Sequence, residues 1–284
     1  MRVMENRRMR VRDRNNVLVT GREGGPTVVL AHGFGCDQHM WRHVAAEIGQ
    51  WAQLVLFDHV GSGQADPAAW DADRYSSLDG YADDVLNICR DLDLQQPVFV
   101  GHSVSSSIGV LAANREPDRF SALVLVTPSP CYIDDENYRG GFTRDDIDDL
   151  LGSLESNYLG WSSSMAPLIM GNPERPELGE ELTASFCRTD PAMAQVFARA
   201  TFLSDNRADL AAVSVPTLIL QCAQDAIAPP EVGVGGPGPG YACPSAGGSS
   251  PRTSRSAPRH RLTATRRPGQ DPSGASPTGR VVRY

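Results

Sequence analysis

The pentapeptide Gly101-His102-Ser103-Val104-Ser105 carries the strongest chemical signal in this 284-residue chain. An apolar run at 97–100 leads into it, and a helix-forming stretch at 106–114 leads out. A sharp strand-to-helix turn of this kind lifts a serine hydroxyl clear of the backbone, ready to attack an acyl carbon. The turn is tight, so it needs small residues on either side, and Gly101 and Ser105 supply them. The plainer reading of Ser103 is a helix N-cap. Acyl transfer also requires N–H donors aimed at the oxygen that becomes negative. His32-Gly33-Phe34-Gly35, placed directly after the apolar run 27–31, offers the Phe34 N–H, and the elbow offers the N–H of Val104. An ordinary glycine-rich turn is the alternative for that loop. The third member is Asp225, just past the run 216–220, where a carboxylate can orient and stabilise a protonated imidazole; a turn-holding aspartate is the alternative. Asp58, in Asp58-His59-Val60-Gly61-Ser62-Gly63, is read as the holder of its own turn. The base is the missing part. His32, His39, His43, His59 and His102 all precede Asp225, and only His260, between Arg259 and Arg261, follows it. No apolar strand precedes His260 to position its ring, and His32 and His102 are read as structural.

The elements that must position these groups are legible in the apolar pattern. The short Val- and Leu-rich runs at 27–31, 53–57, 97–100, 122–126 and 216–220 suit strands buried on both faces. Between 77 and 92, Leu78, Tyr81, Val85, Ile88 and Leu92 recur at spacings of three and four, which is one helical face. Strands alternating with helices predict an α/β fold with a mostly parallel sheet. Residues 17–20 are expected to open the sheet as a hairpin with 27–31 across the glycines at 21–25. From 130 to 213 the strand signal vanishes, and four helices are expected at 142–161, 162–170, 176–187 and 191–203, forming a cap over the site end of the sheet.

Composition bounds the function. No apolar stretch approaches the ~18 residues of a membrane span, and the Arg-rich start lacks the apolar core of a signal peptide. A cytoplasmic location is the expectation. The six cysteines show no C-x-x-C pair, so neither a zinc site nor a disulfide framework is suggested, and no cofactor is expected. Residues 1–232 hold 18 Arg against 33 acids, a balance of −15, whereas residues 233–284 hold 8 Arg and one acid, a balance of +7. An acidic body argues against nucleic acid as a partner.

Taken together, these segments resemble the RsbQ-type branch of the α/β-hydrolase family, which includes a bacterial energy-stress regulator and the plant strigolactone and karrikin receptors. The resemblance rests on HGFGCDQHMW (32–41), LFDHVGSG (56–63), YSSLDGYADDV (75–85), VFVGHSVSSSIG (98–109), PSPCY (128–132), NYLGW (157–161), FCRTDP (186–191) and LILQCAQDAIAP (218–229), and it covers about three-quarters of the chain. It implies a Ser–Asp–His triad in which Ser103 and Asp225 match two members. It also implies a four-helix cap over a pocket for a small apolar ligand or ester. Phe34, Tyr132, Trp161, Phe197 and Phe202 are then candidate pocket walls, with plain packing as the alternative for each. A monomer is the default for this fold, and the branch's stress-response member points to a stress-pathway phosphatase as partner.

Past residue 232 the resemblance stops. Of the last 52 residues, 33 are Gly, Pro, Ser or Arg, and Leu262 is the only Leu, Ile, Phe, Met or Trp. Such a segment cannot offset its chain entropy by burial and reads as disordered. Two origins fit it: a native flexible tail, or a shifted reading frame near codon 233, since out-of-frame GC-rich DNA yields this composition. On either, the family's last strand, its Gly-His motif and its closing helix are expected to be missing, leaving an apolar sheet edge. The domain reading is therefore an extension (1–13), a first core part (14–129), a helical cap (130–213), a second core part with the acid (214–232) and the tail (233–284).

Overall fold

The computed structural model describes residues 10–222, 224–229, 232 and 280–283. In chain order the elements are α1 (Val11–Arg14), β1 (Leu18–Gly21), β2 (Thr27–Ala31), α2 (Arg42–Ile48), β3 (Gln53–Phe57), α3 (Leu78–Asp91), β4 (Val98–His102), α4 (Val104–Arg115), β5 (Ala122–Val126), α5 (Arg144–Ser156), α6 (Tyr158–Met170), α7 (Pro176–Arg188), α8 (Pro191–Phe202), α9 (Arg207–Ala211), β6 (Thr217–Gln221) and β7 (Arg280–Arg283). The sheet order is β1-β3-β2-β4-β5-β6-β7. The five strands from β3 to β6 run parallel, and β1 and β7 are antiparallel at the two edges.

One face of the sheet is sealed by α3 and α4, where Val29, Phe57, Phe99, Leu123 and Leu125 pack against Tyr81, Val85, Ile88 and Ile108. The helix α3 matches its predicted face, and Ser77 caps it by accepting from the Asp79 N–H. The opposite face gathers Val28, Leu30, Leu54 and Leu56 around Trp41 beside α2. A third cluster lies in the cap, where Tyr132, Ile147, Leu151, Trp161, Phe186, Ala198 and Phe202 bury one another.

Four expectations are corrected. The hairpin between β1 and β2 does not form: β2 pairs with β3 on one edge and β4 on the other, so β1 pairs instead with the free edge of β3, Leu18 opposite Leu56. The helix expected over 142–161 breaks at Asn157 (φ −152°, ψ 77°), whose side chain accepts from the Gly160 N–H and starts α6. The division at residue 13 cuts through α1, and Val11 and Val17 both pack on the main core. Lastly, the edge of β6 is not open: the backbone of Arg280–Arg283 pairs with it from Gln221 back to Leu218. Residues 233–279, with His260 and the suspected frame change, lie outside the described residues.

Candidate active site

Ser103 sits between β4 and α4 at φ 55°, ψ −121°, a conformation costing a non-glycine residue on the order of 1–3 kcal/mol. The surroundings enforce it. The Ser103 N–H donates to Val126 O at 2.8 Å, and Ser103 O accepts from the Ser106 N–H at 2.8 Å. Ser106 Oγ donates to Gly101 O at 2.9 Å. A Cβ on Gly101 would lie 2.3 Å from Ser105 O, so only glycine permits the bend. The Ser103 hydroxyl makes no capping bond to α4. The plain helix-cap reading of Ser103 therefore fails.

The loop after β2 lies directly against this bend. A Cβ on Gly33 would lie 2.5 Å from His102 Nδ1 and 3.3 Å from Ser103 Cβ. The Cys36 N–H closes the turn on Gly33 O at 3.2 Å, leaving the Phe34 N–H out of the turn's bonding. Val104 opens α4, where the first N–H groups have no helical acceptor. Gly35 has φ 73°, and its missing Cβ would fall 1.8 Å from the Phe186 ring. The loop is thus wedged between elbow and cap. Ser185 Oγ donates to Gly35 O at 2.8 Å, Arg188 pairs with Asp37 at 2.9 Å, and Arg42 pairs with Glu181 at 2.7 Å.

Asp225 is half-buried, and its Oδ1 accepts from the Ile227 and Ala228 N–H groups at 2.8 and 2.9 Å. Gln221 Nε2 fixes the loop further by donating to Ala228 O at 2.8 Å. The turn-holding role is therefore present, and its charge also reaches into the site. It raises the pKa of both Tyr132 and His102. The Tyr132 phenol interacts with the Ser103 hydroxyl, yet burial dominates and pushes it up to about 12.

None of the histidines among the described residues stands as base at Ser103. His39 and His43 are exposed on the Gln38–Trp41 turn and α2. His32 and His59 are fully buried under the elbow, and burial holds both below the ordinary imidazole range. Burial likewise brings His102 down to about 4, although Asp225 opposes that shift. Its ring is pinned by Gly33 and meets Trp41 edge-on, centroids 6.5 Å apart. Asp58 does hold its turn, accepting from the N–H groups of Gln38 and Gln64 and from Asn16 Nδ2 at 2.8–2.9 Å.

Tyr132, Trp161, Phe197 and Phe202 are all buried. The Phe34 ring gathers Trp161, Phe197 and Phe202 at 6.2, 5.6 and 6.1 Å. Phe202 also meets Tyr132 at 5.1 Å. Phe197 stacks on Tyr81 at 4.4 Å and so belongs to the main core as well. Phe186, which opens the FCRTDP stretch but is not among the candidate pocket walls, is the cap's link to the loop: it lies 5.9 Å from Phe34 and 5.1 Å from Trp161. Its sole sequence signal is the Gly35 opposite it. The bonds that Ser105 and His59 make under the elbow were likewise missed, and the hint was a serine where the elbow pattern ends in glycine.

Comparison with known proteins places this geometry. The family model described as the α/β hydrolase fold matches residues 26–235. The karrikin insensitive 2 receptor CA of Petunia hybrida is 40% identical over 219 residues, 77% of this chain and 81% of that protein. Strigolactone esterase D14 of Arabidopsis thaliana is 39% identical over 217 residues, 76% and 80% of the two chains. Among solved structures, the hydrolase olei00960 of Oleispira antarctica superposes with a TM-score of 0.76 at 48% identity, covering 78% of this chain and 82% of that one. Among the described residues no helix is long and apolar enough to cross a membrane. The strained serine, the glycine loop pressed against it and the helical cap above both are those of a hydrolase-type fold, and the chain belongs to the α/β-hydrolase family.

Proposed function

We propose that this chain is a serine hydrolase acting on a small apolar ester or lactone through an acyl-enzyme on Ser103. The observation that carries the reading is the strained Ser103 backbone with its hydroxyl free of the helix and the Gly33 loop in contact with it. In the reaction, Ser103 Oγ attacks the carbonyl carbon and gives up its proton. The N–H groups of Phe34 and Val104 hold the tetrahedral oxyanion. Collapse breaks the bond to the leaving oxygen, which takes up a proton, and water then releases the acyl group. Tyr132, Trp161, Phe197 and Phe202 wall the apolar part of the substrate.

In this reading Asp225 is stationed to stabilise a cationic base, and among the described residues the Tyr132 phenol interacts with Ser103 and feels the Asp225 charge. With a pKa of about 12 it keeps its proton at neutral pH and serves as a donor. With no histidine among the described residues standing as base at Ser103, this reading has solvent accept the serine proton and turnover impaired. Loss of the base costs on the order of 10⁶ in a serine protease and leaves roughly 10³ above water from the oxyanion hole and binding.

A p-nitrophenyl butyrate time course, with mass spectrometry of the protein, tests this. The expected result is slow acylation of Ser103, weak turnover, and loss of both in Ser103→Ala. Absence of any adduct on Ser103 overturns the hydrolase reading. Turnover like that of an intact relative overturns the impaired-base reading.

The receptor names of the plant relatives favour a second reading, in which ligand capture changes the cap and a partner detects it. The resemblance to the stress-regulator branch supplies a stress-pathway phosphatase as that partner. Ligand-dependent co-elution with such a phosphatase, persisting in Ser103→Ala, is the outcome this reading requires.

A further inference from the structure

Ser105 closes the elbow where the pattern ordinarily has glycine, and its side chain is fully buried. Its Oγ donates to His32 O, the backbone carbonyl immediately before Gly33 and Phe34. His59 Nε2 lies 2.7 Å from the same Oγ. The His59 N–H in turn donates to His32 Nε2 at 3.0 Å, and His32 Nδ1 lies 2.8 Å from Gly33 O.

The protons in this ring of bonds can be assigned from the fixed donors and acceptors. A backbone N–H points at His32 Nε2, so that nitrogen is the acceptor and Nδ1 carries the proton given to Gly33 O. A carbonyl takes the Ser105 proton, so His59 Nε2–H donates to Ser105 Oγ. His59 Nδ1 is then a bare lone pair, and it has no hydrogen-bond partner among the described residues. Both imidazoles are neutral, as their burial demands. The His59 ring is itself immobilised by Phe57, Tyr81 and Phe197 at 5.2, 5.5 and 5.8 Å.

Two consecutive carbonyls of the loop, His32 O and Gly33 O, are therefore held by donors that trace back to the elbow and to the turn after β3. The Gly33 carbonyl shares its planar peptide unit with the Phe34 N–H, so the bond that holds Gly33 O also orients that donor. We infer that Ser105 and His59 are positioning residues that set the Phe34 N–H relative to Ser103 Oγ, so that donor and nucleophile are placed by one buried hydrogen-bond ring. The inference rests on the proposed role of Ser103 and Phe34, and its test separates the two.

The rate of phosphonylation of Ser103 by a fluorophosphonate is measured alongside the amide signal of Phe34 in protein labelled with ¹⁵N-phenylalanine. In Ser105→Ala the maximal labelling rate is expected to fall roughly tenfold, as misplacement by a fraction of an ångström does. The reagent's half-saturating concentration should stay within about twofold of the parent, and the Phe34 amide should shift. Ser107→Ala, two residues along α4, should change neither. Should Ser105→Ala fail to fold, Ser105→Gly, the residue usual at that position, replaces it with the same expectation. A parent-like rate and an unmoved Phe34 amide in the folded variant overturn the inference. If the parent chain itself takes no label, the Ser103 reading falls, and the Phe34 amide alone decides: its shift in Ser105→Ala sustains the positioning role and its constancy removes it.

Discussion

The two halves of the site are held in different ways. Around Ser103 the short-range bonds of Ser106 to Ser103 O and Gly101 O are joined by constraints that cross between elements: Gly33 against His102, Ser105 onto His32, the Ser103 N–H onto Val126, Gly35 under Phe186. Around Asp225 the constraints are local, from residues two and three along and from Gln221 four before. A long-range interlock fixes a geometry only when the whole fold is in place, and it can store strain such as that at Ser103. A local turn forms without the rest of the site and specifies little about what lies across the cleft. The proposed nucleophile and oxyanion loop are thus preorganised as one body, while the proposed acid sits on a self-contained turn.

The largest effect should follow from breaking the interlock where cap and loop meet. Gly35→Ala puts a Cβ into the Phe186 ring and forces a φ of 73° on a residue that disfavours it. The combined cost is about 3 kcal/mol or more, and acylation of Ser103 should be lost with it. Gly152 in α5 is the matching control, because a Cβ there meets nothing within 4 Å. Gly152→Ala should leave acylation unchanged and add roughly 0.5–1 kcal/mol of stability. Urea melts of the two variants check both signs. Equal destabilisation by the two substitutions would dissolve the distinction between interlocked and open glycines.

The nucleophile half should also respond to pH. His102 titrates near 4 in the fold against 6.5 when free, since burial disfavours its cation. Between those values the unfolded chain binds more protons than the native one. The contribution of His102 is therefore intact above about pH 7 and is lost as pH falls through 6.5 towards 4. At pH 5 the loss is about 2 kcal/mol relative to pH 7.5. His102→Gln should remove that share of the pH dependence in paired urea melts at pH 7.5 and 5. An unchanged slope would show that the ring is already solvated.

The same contrast governs what could be read from the sequence. Strands 27–31, 53–57 and 122–126 were legible to the residue, because continuous apolar runs report burial on both faces. Ser103, the Gly33 loop and Asp225 could be proposed as site residues because their neighbours in sequence carry the signal. What crosses space was not. The partner of β1 depended on which edge of β2 was already taken, the break at Asn157 on a side chain turning back to Gly160, and the role of Phe186 on a glycine 151 residues earlier. The Ser105–His59–His32 ring joins the first turn of α4 to the loops after β2 and β3, and no local pattern encodes it.

The smallest effect is expected at Asp225, and it bears most directly on the comparison. In a complete triad, the corresponding Asp→Asn change costs about 10⁴ in kcat, because the base loses its orientation and its counter-charge. Here Oδ1 is occupied by two backbone N–H groups, which an asparagine oxygen still accepts, so Asp225→Asn should keep the turn. With no imidazole among the described residues for it to orient, the carboxylate acts on Ser103 through space and through Tyr132, across a half-open site where charges are screened. The rate of Ser103 acylation should then change by less than about tenfold. A loss approaching 10⁴ would mean that an imidazole stands between Asp225 and Ser103 after all, and that the two halves of the site are as tightly joined as the elbow and its loop.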